Sequence, residues 1–241
     1  MEILGIIPAR GGSKGIPRKN LAVIAGQSLL AWTAAAAHAS ARLTRVIVST
    51  DDTEIAQAAR LLNLEVPFMR PSRLAADDTP IYAVFENLLS RLSDTEHYVP
   101  DIVVLLQPTS PLRRAHHIDS AVDLLFDSGA DSVVSVVRVP HNFNPSSVLE
   151  EKGGRIVPWG DKPTVIRRQD KSTLYARNGP AVVAVREPAL KKYKSLYGQD
   201  TRPLEMTKEE SIDIDELWDL ELATWLIQRE RISSRNTEDG T

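Results

Sequence analysis

The chain has 241 residues and no cysteine, and its 29 Lys and Arg stand against 32 Asp and Glu for a formal net charge of −3. Such a balance excludes a general nucleic-acid or anionic-membrane binder, and the missing thiols exclude disulfides, thiolate metal sites and a cysteine nucleophile. No apolar run approaches the roughly 20 residues that a spanning helix needs, so no membrane partner is expected.

Residues 3–7 (Ile-Leu-Gly-Ile-Ile) form a short aliphatic run ending at Pro8, the pattern of a buried strand. Glu2 precedes it with no basic stretch leading an apolar segment, so no signal peptide is visible and a cytoplasmic protein is expected. Small and cationic residues follow. Gly11, Gly12 and Gly15 can bare backbone N–H groups in a sharp turn, ringed by Arg10, Lys14, Arg18 and Lys19. An alanine-rich helix over 28–40 comes next, then a strand over 45–50 and a helix capped within Asp51-Asp52-Thr53. Residues 64–69 read as a third strand, placed at an edge by Pro67. Thr79-Pro80 starts a helix with Ile81, Val84, Phe85, Leu88 and Leu92 on one face. The most apolar strand, 102–106, ends at Gln107-Pro108-Thr109-Ser110-Pro111-Leu112-Arg113. A helix aligning Ile118, Val122 and Leu125 stops at Gly129, and a fifth strand covers 132–137.

This alternation predicts an α/β fold with a mainly parallel sheet flanked by helices, in which ligands gather beyond the carboxyl ends of the strands. The pattern then breaks. Residues 140–180 are rich in Pro, Gly and charge and read as an inserted arm or hairpin. A strand over 181–185, an extended stretch over 211–215 and a helix over 216–231 complete one domain spanning 1–241, with 233–241 expected as a disordered tail.

The chemistry concentrates at the predicted sheet edge. The basic loop matches neither G-x-x-x-x-G-K-[ST] nor G-x-G-x-x-G, yet its bare amides and cations suit a polyphosphate; an ordinary basic surface loop is the plain alternative. Asp213 and Asp215 flank Ile214 in an extended stretch, so both carboxylates face one way and suit a hard divalent cation such as Mg²⁺. Asp215 equally suits the cap of the last helix. Residues 107–113 supply an amide, two hydroxyls and a guanidinium, or simply a Pro-rich turn. The loop over 70–79 reads mostly as solvated. His116 and His117 are adjacent, about 100° apart on a helix, and no histidine receives a role. The four tryptophans, Trp32, Trp159, Trp218 and Trp225, read as packing residues.

P-A-R-G-G-S-K-G-I-P-R-K-N, V-S-T-D-D, L-A-x-D-x-T-P, L-Q-P-T-S-P-L-R, R-R-Q-D before Y-x-x-N-G, and S-I-D-I-D together resemble the acylneuraminate cytidylyltransferases (CMP-sialic acid synthetases) from Ile3 to about Leu222. The resemblance implies their nucleotide-diphospho-sugar transferase (Rossmann-like) fold and a homodimer whose inserted arm reaches the neighbour's site. It implies that Arg10, Gly11, Ser13, Lys19, Asn20, Arg70, Thr79, Gln107 and Ser110 hold CTP, with Arg10, Lys19 and Arg168 serving the reaction. Asp213 and Asp215 would bind Mg²⁺, and Arg113, Arg167, Arg168, Gln169, Tyr175 and Asn178 would receive a sugar acid. Lys171-Ser172-Thr173-Leu174 replaces the common L-P, and Pro180 replaces a small residue after Asn178-Gly179. The acceptor therefore stays open among sialic, legionaminic, pseudaminic and other 3-deoxy-ulosonic acids. Two other readings remain: a metal-dependent glycosyltransferase of related fold, and a non-catalytic nucleotide-binding homologue.

Overall fold

Along the chain the elements are β1 (Ile3–Pro8), the short ribbon β2 (Val23–Ile24) and β3 (Gln27–Ser28), α1 (Leu29–His38), β4 (Arg45–Ser49), α2 (Thr53–Leu61), α3 (Ile81–Glu96), β5 (Ile102–Leu106) and α4 (Ala115–Ser128). They continue as β6 (Ser132–Arg138), β7 (Leu149–Lys152), β8 (Arg155–Pro158), β9 (Tyr175–Arg177), β10 (Val182–Arg186), α5 (Glu187–Tyr193), β11 (Thr201–Met206) and α6 (Leu217–Glu238). This computed structural model describes residues 1–13, 15–160 and 172–238, with only the backbone of 231–238.

The main sheet runs in the order β11-β6-β10-β5-β1-β4, with β9 also paired to β6. β1 pairs in parallel with both β4 and β5, and β6 with β11. β10 lies antiparallel between β5 and β6, and β9 just before it is also antiparallel to β6, so the sheet is mainly parallel with a reversed β9–β10 segment inside it. All five residues of β5 are buried, as a strand covered on both faces requires.

Alternate residues feed two cores. Ile3 and Ile7 of β1 pack with Leu30 of α1, Ile55 of α2 and Ile118, Val122 and Leu125 of α4. Leu4 and Ile6 face the other way, against Val84, Phe85, Leu88 and Leu92 of α3 and Leu190 of α5. Helices therefore cover both faces. A third cluster joins Ile16 of the basic loop, Leu29, Leu112, Ile214 and, from α6, Ala223 and Ile227. Among the described residues, no helix is long and apolar enough to cross a membrane.

Several expectations need correction. Residues 64–69 make no continuous strand; single bridges join Glu65 to Ile47 and Met69 to Thr50, and Pro67 between them has no N–H to donate. Residues 212–215 lie outside any strand. α5 and β11 have no counterpart in the sequence reading, because β11 carries Pro203 and alternates Arg, Leu and Glu without an aliphatic run. α6 continues past Arg231 to Glu238, through the segment expected as a tail, since no Pro or Gly interrupts helix propagation before Gly240. Within the Pro- and Gly-rich insertion, β7 and β8 form an antiparallel hairpin turning at Gly153 and Gly154. Trp32 is half-buried and donates its indole N–H to the Ile24 carbonyl, whereas Trp159, Trp218 and Trp225 are exposed and pack little.

Candidate functional site

A cleft of about 690 Å³ opens beyond the carboxyl ends of β1 and β5. Its wall begins where β1 ends. Gly11 donates its N–H to Asp51 Oδ1 at 3.1 Å, and a Cβ there would sit 2.6 Å from Asp52 Oδ2. Asp52 is itself committed, accepting the N–H groups of Glu54 and Ile55 as the cap of α2. The loop is thus pressed on the turn after β4. Gly15 lies as close to the other wall, where a Cβ would fall 2.5 Å from the Asp215 carbonyl oxygen. Only glycine fits.

Cations and acids meet across this cleft. Arg10 Nη2 lies 2.5 Å from Asp77 Oδ1, and Lys19 Nζ donates to the Ile214 carbonyl at 2.7 Å and to Asp215 Oδ1 at 3.0 Å. Asn20 is buried and donates to the Arg10 carbonyl at 2.9 Å, fixing the loop from behind. Arg70 is buried at the floor, its Nε donating to Ser49 Oγ at 3.1 Å and its Nη2 to the Ser49 carbonyl. Burial lowers this guanidinium to about 10, with Asp51 opposing, so it remains a cation at neutral pH.

A bulge supplies the opposite side. β9 and β10 both pair with β6, but residues 178–181 leave the ladder between them. Asn178 holds the bulge from inside: its Oδ1 accepts from Ser135 Oγ at 2.7 Å, and its Nδ2 donates to Ser211 Oγ at 2.9 Å. Gly179 then projects into the cleft at φ +112°, where a Cβ would stand 3.1 Å from Asp213 Oδ1 and 3.2 Å from Ser110 Oγ. Its carbonyl accepts from Gln107 Nε2 at 3.1 Å.

Asp213 is the strained acid of the set. Its Oδ1 is buried without a hydrogen-bond partner among the described residues. Burial pushes its carboxyl up, the Asp215 charge adding to this and Thr109 and Lys19 opposing. A spare buried carboxylate oxygen beside a second carboxylate is what a hard divalent cation relieves, so Asp213 and Asp215 fit Mg²⁺. Asp215 does not cap α6; Asp219 Oδ2 reaches back to the N–H groups of Asp215 and Glu216 at 2.8 and 2.9 Å. That leaves the Asp215 carboxylate facing the cleft.

The cleft therefore gathers Arg10, Ser13, Lys19, Asn20, Arg70, Thr79, Gln107, Asp213 and Asp215 of the expected residues. Gly11 and Ser110 sit one layer behind. Arg113 is buried below, donating to the Gln107 and Ala181 carbonyls at 2.8 and 3.0 Å, with burial lowering it to about 9. It braces strand ends and faces no open space. Asn178 is likewise internal, and Tyr175 is exposed on β9. Lys14, Arg167, Arg168 and Gln169 lie outside the described residues. Asp77, Leu196 and Tyr197 line the cleft unforeseen. The motif L-A-x-D-x-T-P already held Asp77; Leu196 and Tyr197 carry no local signal.

Comparison with known proteins adds the following. A family model described as cytidylyltransferase matches residues 4–232. A CMP-N,N'-diacetyllegionaminic acid synthase from Legionella pneumophila is 35% identical over 218 residues, covering 89% of this chain and 91% of the relative. An N-acylneuraminate cytidylyltransferase from Streptococcus agalactiae is 34% identical over 218 residues, 89% of this chain; the chain spans only 51% of that longer relative. Among solved structures, a CMP:2-keto-3-deoxy-manno-octonic acid synthetase complexed with CTP superposes with a TM-score of 0.71 at 19% identity, covering 95% of this chain and 100% of the other. At that identity the likeness shows the fold.

One pair outside the cleft lining joins a buried histidine to a half-buried glutamate. His117, in the first turn of α4, faces Glu210 at 3.4 Å. Burial pushes the imidazole down to about 4, with His116 adding and Glu210 opposing. An unfolded histidine titrates near 6.5. Between these values the unfolded chain binds a proton that the native chain refuses, so this contribution to stability is complete above about pH 6.5 and lost as pH falls toward about 4. The thermal midpoint of the wild type should fall between about pH 7 and pH 4.5 more steeply than that of His117→Gln. Equal slopes would assign the effect to another group.

Proposed function

Because the chain belongs to the cytidylyltransferase family, we propose that it transfers CMP from CTP to the anomeric hydroxyl of a nine-carbon, sialic-acid-like sugar acid and releases pyrophosphate. The observation that carries this reading is the cleft itself: Arg10, Lys19 and Arg70 line one pocket with Asp213, whose Oδ1 has no hydrogen-bond partner among the described residues. The legionaminate and acylneuraminate relatives point to the acceptor class and to cytidine. Gln107 does not by itself argue for the base, since its amide is engaged by the Gly179 carbonyl and by Thr109.

In the proposed reaction the sugar hydroxyl oxygen forms a bond to the α-phosphorus and gives up its proton to water, the bond from that phosphorus to the bridging oxygen breaks, and pyrophosphate leaves with its electron pair. Positioning and charge neutralisation are the main demands on the protein. Arg10 and Lys19 stand ready on Asp77 and Asp215, and each exchanges a carboxylate for phosphate oxygens when the triphosphate enters. Asp213 and Asp215 hold Mg²⁺, which when bound supplies Lewis-acid neutralisation and acidifies a nearby hydroxyl. Arg167, Arg168, Gln169 and Tyr175 receive the sugar acid, an arginine pairing with its carboxylate. The enzyme acts in the cytoplasm, a setting that a chain without cysteine suits.

The same reading makes the protein a homodimer joined through its arm. Leu149 and Ile156 share one face of the β7–β8 hairpin and are 58% and 69% exposed, and Trp159, just beyond on the opposite face, is 54% exposed, so the arm offers apolar side chains that a second copy would cover. Sedimentation should give a dimer that Ile156→Glu with Trp159→Ser converts to monomer; a wild-type monomer would sink this part.

The reaction is tested by pyrophosphate release, offering CTP, UTP, ATP and GTP each against a panel of ulosonic acids with Mg²⁺. Release with CTP and a nine-carbon acid is expected, and binding of CTP without release from any pair would overturn the assignment. Asp213→Asn should lower turnover at least about tenfold while the protein stays folded. Near-normal turnover would remove Asp213 from the metal site.

A further inference from the structure

Besides Lys19 and Asp219, three ties hold the segment that carries Asp213 and Asp215. Ile214 donates its N–H to the Thr109 carbonyl at 2.8 Å, and Ser211 Oγ accepts from Asn178 Nδ2 at 2.9 Å. The third lies just upstream, where residues 207–210 fold into a tight turn. Glu210 Oε2 accepts from Thr207 Oγ1 at 2.8 Å, and Thr207 Oγ1 in turn accepts the Glu210 N–H at 3.2 Å. The other carboxylate oxygen of Glu210 faces His117 Nε2 at 3.4 Å.

The chemistry of His117 is fixed by its surroundings. Its Nδ1 accepts the Arg114 N–H at 3.1 Å, which in the neutral ring leaves the proton on Nε2, aimed at Glu210. The ring itself is buried. His116, His117 and Glu210 do bring possible ligand atoms within 4.8 Å of one another. A metal on His117 Nε2 would need the proton moved to Nδ1, against the Arg114 N–H. Left as it is, the neutral ring keeps the Arg114 hydrogen bond and its 3.4 Å contact with Glu210.

We infer that His117 and Glu210 are positioning residues for the metal-binding segment, clamping the 207–210 turn to the start of α4 so that Asp213 and Asp215 are held at the cleft. α4 follows directly on residues 107–113, so the clamp also ties that loop, which holds Gly179 through Gln107, to the acids. Neither residue touches nucleotide or sugar acid in this account, which rests on the proposed function for the identity of the cation.

The test uses Mn²⁺ in place of Mg²⁺, titrated into the full-length protein without substrates and read as loss of the free-ion paramagnetic resonance signal. CTP affinity is measured separately in EDTA. Wild type should bind Mn²⁺ and Asp213→Asn should not. His117→Ala should weaken Mn²⁺ binding about tenfold, the order expected when a group orienting a ligand is removed, with CTP affinity in EDTA unchanged. His117→Gln, which keeps an N–H donor, should restore most of the loss. Should His117→Ala not fold, Glu210→Ala carries the same prediction. Unaltered Mn²⁺ binding in the folded variant, or equal losses of Mn²⁺ and CTP, would overturn the clamp. Zn²⁺ held by wild type but lost in both His116→Ala and His117→Ala would replace it with a metal site. If wild type binds Mn²⁺ no better than Asp213→Asn, the metal site itself falls, and the clamp with it.

Discussion

One contact joins the two ends of the chain's chemistry: the Lys19 ammonium, 2.7 Å from the Ile214 carbonyl, across 195 residues of sequence. Opposite charges alone would hold it weakly, since the Asp215 carboxylate is mostly exposed. Its strength comes from what lies beneath. Ile16 and Ile214 share an apolar cluster with Leu29, Leu112 and two α6 residues, so the loop and the acid segment are packed together before any charge is counted. The missing side chain at Gly15 brings the two backbones closer still. Cation and carboxylates hold their spacing because an apolar contact sets it.

The buried arginines answer a related constraint. At this cleft the strand-end carbonyls have a second lone pair to fill, since Ser49 already accepts the Ala9 N–H at 2.9 Å and Gln107 the Ser110 N–H at 3.3 Å. Arg70 takes the carbonyl of Ser49 at the end of β4, and Arg113 takes those of Gln107 after β5 and Ala181 before β10. Arg113 Nε and Nη2 have no hydrogen-bond partner among the described residues, so its burial is only partly compensated. Arg113 helps to shape the floor; Arg70 does so while also lining the cleft.

What the sequence made legible was local. Apolar periodicity located β1, β4, β5 and β6 and the helices between them, because each segment carries its own burial pattern. The basic loop, Asp213 and Asp215 were readable because small and charged residues follow a predicted strand or alternate in one stretch. Direction was not readable: β10 is as aliphatic as a parallel strand, and the long excursion before it would serve a parallel crossover as well as the reversed strand that is found. Depth was not readable either. Arg113 and Asn178 carry polar groups that look like ligands to substrate, yet each is buried and turned to carbonyls or side chains inside the protein. Nor does sequence tell which tryptophans are covered, since that depends on elements far along the chain. The pairing of His117 with Glu210 belongs to the same class, as it is made by tertiary contact alone.

The reversed strand also constrains how the molecule can be made. β5 and β6 are separated by only one connection in the chain, but they never touch; β10 stands between them and bonds to both. A ribosome that has delivered β1, β4, β5 and β6 has therefore delivered one three-stranded fragment, β4-β1-β5, and a lone β6 whose partners β9, β10 and β11 all come later. The strand that closes the gap arrives only after the whole arm has been synthesised. During that interval the β5 edge, five aliphatic residues in a row, has unpaired N–H and carbonyl groups available to any neighbouring chain. The late strand thus acts as a keystone. Its delay raises the contact order and slows closure of the sheet, a cost of placing the bulge at residues 178–181 over the cleft.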